Sequence, residues 1–195
     1  MNTDRTGIVM KRNSLEDTIR ILGLQPLTGE GGMWSQPYSS DENVKAGDFE
    51  GRDTDRPICS TIHYLLTPAS FSCMHRLVTD EIWYHHSGPA LRMLLIHDDG
   101  SCEVRLLGQD LLNDELPQIS VPRGTWQGAQ IDRASLEGCG PDEEVFTLVS
   151  TSMAPAYQDE DFTAGTFEEL RDYVPDDDPE MLELLRALTS EPVYL

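Results

Sequence analysis

Lysine is almost missing from this chain: two lysines stand against twelve arginines, among 35 acidic residues and a formal net charge of −21. A surface so poor in positive charge repels phosphate backbones and anionic headgroups, which argues against nucleic-acid binding and against membrane attachment. No apolar run approaches the roughly 20 residues of a membrane span. Met1 to Asn13 is polar and lacks the apolar stretch of a secretory leader, so a cytoplasmic location is expected. Cysteine is sparse and scattered. Cys59, Cys73, Cys102 and Cys139 form no C-x-x-C pair, which removes thiolate-metal and redox motifs and leaves free, buried thiols as the expectation. A phosphate-binding loop is missing too. Gly29 to Gly32 is a short glycine-rich turn without the lysine or the spacing such a loop needs.

What is present is a chain of 195 residues with 38% hydrophobic content, enough to bury a core as one domain. Ser14-Leu15-Glu16-Asp17 reads as a helix start, with a serine cap and a carboxylate three residues on. Leu15, Ile19 and Leu22 keep helical spacing up to a stop at Gly23. Residues 40–57 are acidic and polar and read as a loop. From Ile58 the pattern changes to short apolar or β-branched runs divided by turn residues. The runs are 58–66, 71–75, 81–86, 91–97, 102–107, 119–121, 126–131 and 145–152, and Asp98-Asp99-Gly100 is a hairpin turn between two of them. Many short strands at this spacing predict an all-β sandwich or barrel. The tail returns to helix. Thr166 to Glu169 is a capping box, and Asp178-Pro179 is a cap followed by proline at the first helical position. Met181, Leu184, Leu185 and Leu188 then form an apolar stripe expected to dock on the barrel. The eleven acids between Asp159 and Glu183 read as a solvated face.

Reactive side chains are densest from His75 to Gly88, the segment HRLVTDEIWYHHSG. Side chains alternate along a strand, so Glu81, Trp83 and His85 share one face and Ile82, Tyr84 and His86 the other. An acid, an indole and an imidazole turned into a barrel do not make a plain apolar core, and a buried carboxylate is costly unless paired or metal-bound. Arg76, Arg92, Arg105 and Arg123 also fall within the predicted barrel. They can grip an anion bidentately, but the abundant acids favour ordinary salt bridges.

This segment resembles the first motif of the cupin superfamily: His75 stands at its first histidine, Glu81 at its glutamate and Gly88 at its glycine, with Leu77 at the second histidine. Pro122-Arg123-Gly124-Thr125-Trp126-Gln127 resembles the second motif, with Gln127 in place of its histidine. More narrowly, the chain is similar to a cupin subfamily of largely unknown function. Glu30-Gly31-Gly32, Tyr64-Leu65-Leu66, His75-Arg76, Asp80-Glu81-Ile82-Trp83, Leu107-Gly108 and Trp126-Gln127 carry that likeness, and matching pieces run from Leu22 to Pro175. Ala154 to Tyr157 and Leu27-Thr28 depart from the subfamily's usual residues.

The resemblance implies a double-stranded β-helix, the cupin jelly roll, with short helices at both termini and a barrel core over about residues 33–157. It implies a homodimer with a small-molecule ligand inside the barrel. His75 and Glu81 are the candidate catalytic residues. Trp83, His85, Trp126, Gln127, Arg76 and Tyr64 are the candidate ligand-binding residues. No cofactor is required by the residues themselves. His75, Glu81 and Gln127 occupy the cupin ligand positions for a divalent metal ion, although an amide oxygen is a weak ligand for a transition metal. Two chemistries stay open beside a metalloenzyme: epimerisation or isomerisation by proton abstraction from a sugar-like or planar polar metabolite, and binding without turnover.

Overall fold

Helix α1 (Leu15–Leu22) opens the structure, a computed structural model that describes residues 13–48, 54–136 and 144–191. Ser14 Oγ accepts from the Asp17 amide, and Gly23 closes the helix in the left-handed region. Fourteen strands follow. The first seven are β1 (Gln25–Pro26), β2 (Met33–Ser39), β3 (Asn43–Val44), β4 (Arg56–Pro57), β5 (Ser60–Leu66), β6 (Phe71–Leu77) and β7 (Glu81–Ser87). The rest are β8 (Leu91–Ile96), β9 (Cys102–Leu107), β10 (Glu115–Leu116), β11 (Gln118–Val121), β12 (Trp126–Ile131), β13 (Thr147–Met153) and β14 (Phe162–Ala164). Two short helices, α2 (Phe167–Leu170) and α3 (Pro179–Leu188), end the described chain.

The strands form two six-stranded sheets ordered β1-β2-β5-β13-β7-β11 and β10-β9-β8-β12-β6-β14, with β3 and β4 as a separate pair. Apart from the parallel pair β9–β10, every pairing is antiparallel. This is the jelly-roll barrel the sequence predicts. Strand alternation sorts the side chains. Tyr64, Leu66, Trp83, Leu91, Met93, Leu95, Leu107, Ala129 and Val149 meet inside the barrel. Leu94 and Ile96, on the other face of β8, pack with Met74, Leu184, Leu185 and Leu188 outside the second sheet. The apolar stripe of α3 therefore docks on the barrel, and Leu15, Ile19 and Leu22 of α1 pack against Leu24, Met33 and Leu65. Among the described residues no helix is long and apolar enough to cross a membrane.

Three readings of the sequence are adjusted. Strand β2 lies ahead of the runs read from Ile58. Pro37 and its polar neighbours mask it, and the β2–β5 register slips between Ser35 and Tyr38 beside that proline. Strand β14 sits inside the acidic tail, read from the sequence only as a solvated face, and pairs with β6. The 40–57 loop contains the β3–β4 pair, while its residues 49–53, the polar leader 1–12 and Cys139 lie outside the described residues.

Candidate functional site

Strands β6 and β12 run side by side, with His75 and Gln127 as direct Cα partners. Glu81 begins β7 in the opposite sheet, opposite Met153 and Val121. The two turns that deliver these residues are tied together. The Arg123 amide donates to Asp80 Oδ1 at 2.8 Å, and the Gly124 amide donates to the Leu77 carbonyl at 2.8 Å. Position 124 favours glycine because its φ is +81°, in the left-handed region. These bonds bring into contact two motifs some forty residues apart in sequence.

Inside the barrel the polar groups form one network. Gln127 Nε2 donates to Glu81 Oε2 at 2.7 Å, Trp83 Nε1 donates to the same oxygen at 3.2 Å, and Trp83 Nε1 also reaches Gln127 Oε1 at 3.0 Å. His75 is 1% exposed. Its Nδ1 lies 2.8 Å from the Cys73 carbonyl, which can only accept, so Nδ1 carries the proton and Nε2 keeps its lone pair in the neutral ring. The ring stacks on Phe162 with centroids 5.1 Å apart. Glu81 is 7% exposed. Burial pushes its carboxyl above the usual range. The His75 charge opposes that shift, the Glu30 charge adds to it, and hydrogen bonds from Thr151 and Gln127 pull it back.

Glu30 is the residue that sequence reading left out of the site. It comes from the turn at Gly29 to Gly32, which packs against β6: the Cys73 amide donates to the Glu30 carbonyl at 2.9 Å and Ser72 Oγ donates to Glu30 Oε1 at 2.7 Å. Gly32 allows the approach, with φ at +66° and a Cβ position 2.8 Å from the Tyr64 ring and 2.9 Å from the Leu65 carbonyl. Tyr64 donates to the Gly31 carbonyl at 2.9 Å and meets Trp83 edge to face at 5.8 Å. Burial raises the Tyr64 hydroxyl well above its ordinary value, and the Glu30 charge adds to the effect. The one hint in the sequence was that Glu30-Gly31-Gly32 is among the pieces carrying the family likeness.

His75, Glu81, Trp83, Gln127 and Tyr64 thus come together, while three other candidates do not join them. Arg76 and Trp126 turn to the outer face of the second sheet, where the guanidinium lies 4.7 Å over the indole. Alternation decides this, because each is next in sequence to an inward-facing residue. Arg92 and Arg105 pair with Glu180 and Glu103 on the surface. His85 faces inward, but at the other end of β7. There it donates from Nε2 to the Pro89 carbonyl at 3.2 Å and lines an open cleft of about 550 Å³ with Ser87, Gln109 and Glu115.

The set His75, Glu81 and Gln127 does not fit a divalent transition metal. It offers one imidazole and one carboxylate. The Gln127 amide is committed at both ends within the network, and the buried apolar Leu77 stands at the remaining ligand position. Among the described residues no group of three or more His, Cys, Asp or Glu side chains could hold a metal.

Two solved structures resemble the whole chain. A protein from Shewanella oneidensis is 27% identical, with a TM-score of 0.71, covering 93% of this chain and all of that one. A hypothetical protein from Leishmania major is also 27% identical, with a TM-score of 0.69, covering 94% of this chain and all of that one. A cupin-2 domain protein from Rhodospirillum rubrum shares the fold at 9% identity and a TM-score of 0.53, covering 84% of this chain and 90% of that one. No curated protein matches. Residues 16–165 match the family Cupin_5, described as cupin superfamily (DUF985), and the chain therefore belongs to that family of cupins.

Proposed function

We propose that the chain binds a small polar metabolite inside the barrel and moves a proton on it, with His75 as base and Glu81 as acid. The observation that carries this reading is the meeting of a buried carboxyl and a buried imidazole inside the barrel. Glu81 is pushed toward its protonated form by burial, while the Cys73 carbonyl holds His75 with Nε2 free to accept. On a substrate with a carbonyl, Nε2 takes the proton from the adjacent carbon and the C–H electron pair moves toward the carbonyl oxygen. Glu81 supplies a proton to that oxygen. Return of a proton to the same carbon from the opposite face gives epimerisation, and its delivery to the former carbonyl carbon, with loss of the neighbouring hydroxyl proton, gives isomerisation. Gln127 and Trp83 fix the carboxyl through its Oε2, leaving Oε1 for the proton. A polyhydroxylated, sugar-like carbonyl compound matches this chemistry.

The test is exchange of substrate carbon-bound hydrogen for deuterium in heavy water, followed by NMR across a panel of hydroxy-aldehydes and hydroxy-ketones. Exchange that disappears in His75→Asn, and in a folded Glu81→Gln, supports the reading. Saturable binding without exchange makes the protein a binding module instead. Unchanged binding and exchange in a folded Glu81→Gln would make the network scaffold only. The family likeness also supports a homodimer, which sedimentation velocity at micromolar concentration tests directly.

A further inference from the structure

On the outer face of the first sheet, two imidazoles converge on one hydroxyl. His63 of β5 and Ser150 of β13 are Cα partners, and His86 joins them from β7 where the pairing slips between Leu148 and Val149. His63 Nδ1 lies 3.3 Å, and His86 Nε2 2.6 Å, from Ser150 Oγ. The two ring nitrogens are therefore no more than about 6 Å apart, across an oxygen that carries a single proton. That proton goes to one ring, so the other ring must donate. One facing nitrogen therefore carries a lone pair and the other a hydrogen, and a change of tautomer turns a second lone pair toward the same oxygen.

We propose that His63 and His86, with the Ser150 hydroxyl between them, bind one divalent ion of the zinc class on the outer face of the barrel. Imidazole favours zinc, nickel and copper over magnesium and calcium. The net charge of −21 draws cations to the surface. An ion shared by both nitrogens at the roughly 2.0–2.1 Å of a zinc–imidazole bond displaces their hydrogen bonds to Ser150 Oγ and draws the two rings together. Ser35, the Cα partner of His63 on its other side, has a buried hydroxyl oxygen with no hydrogen-bond partner among the described residues. It is in register to accept from the second nitrogen of His63, as the outer partners of metal-bound histidines do. Since no third strong ligand stands nearby, water completes the coordination. This site is independent of the His75–Glu81 network, which faces the opposite side of the sheet.

The experiment is calorimetric titration of the full chain with zinc chloride, in excess magnesium to occupy surface carboxylates, with imidazole resonances followed by NMR. One saturable site is expected, with His63 and His86 shifting while His75, His85 and His97 stay in place. His63→Ala and His86→Ala should each weaken binding at least about tenfold, and Ser150→Ala by less, with unchanged circular dichroism. Absence of a saturable site, or full zinc affinity in the His63→Ala/His86→Ala double variant, overturns the proposal. Loss of zinc binding in a folded His75→Ala would place the ion inside the barrel, and equally overturns it.

Discussion

The second sheet separates two interiors of different character. Outside it, Met74, Leu94, Ile96, Leu184, Leu185 and Leu188 form an apolar layer under α3. Inside it, the same strands carry Ser72, His75 and Gln127, which face Glu81, Trp83 and Tyr64 across the barrel. The outer layer shows that this sheet can be covered largely by apolar side chains. The inner polar set is thus not what packing demands, since burying each of its groups costs free energy that the hydrogen bonds only offset. That contrast supports the proposal that a ligand is handled in the barrel interior.

Removing packing from the outer layer should have the largest effect. Leu185→Ala, at a fully buried position, is expected to cost about 2–5 kcal/mol in chemical denaturation and to leave ligand binding by the folded fraction unchanged. Lost binding at equal folded fraction would break the separation of the two interiors. Gln127→Leu comes next. It strips one partner from Glu81 and one from Trp83, at a cost of about 1–3 kcal/mol. A neutral or stabilising result would show that the inner network tolerates an apolar filling.

The third prediction concerns pH. The native Glu81 carboxyl lies above its unfolded value, so between the two the native state holds the extra proton. The associated stability is present in full below the ordinary glutamate range and is lost as pH rises through the native value. Wild type should therefore lose stability relative to Glu81→Gln on going from acid toward neutral pH, by at most about 1.4 kcal/mol per pH unit. Paired thermal melts across that range check the sign, and a wild-type stability that rises or stays level relative to the variant refutes it. The smallest effect belongs to the outer face. Arg76→Ala removes an exposed cation–π contact and should cost about 0.5–1 kcal/mol, with no change in ligand affinity. Weakened binding would return Arg76 to the ligand site.

Legibility differs between elements for physical reasons. Strands β9 and β12 match the runs read from the sequence residue for residue, because turn residues bound them on both sides. Strand β2 escapes because an edge-side strand with a proline and polar residues carries little periodic pattern. That Glu81, Trp83 and Gln127 meet is legible in the sequence, since alternation and the two motifs turn them toward the barrel interior. Trp126 and Arg76 were placed in the same site on motif membership, and that overlooks the face each neighbour takes. Glu30 belongs to a polar turn whose role depends on contacts with Ser72 and Cys73, more than forty residues away.

By itself, the sequence determined what local chemistry can encode: the β-rich middle, the capped helices at both ends, the inward face of β7 and the acidic surface. Only the tertiary structure decided which of the reactive residues meet. Closing two sheets into a barrel sets His75 and Gln127 against Glu81, folds Glu30 onto Ser72, and leaves Arg76, Trp126 and the His63–Ser150–His86 row outside. Face and register are properties of paired strands, and a single strand read alone carries the first without the second.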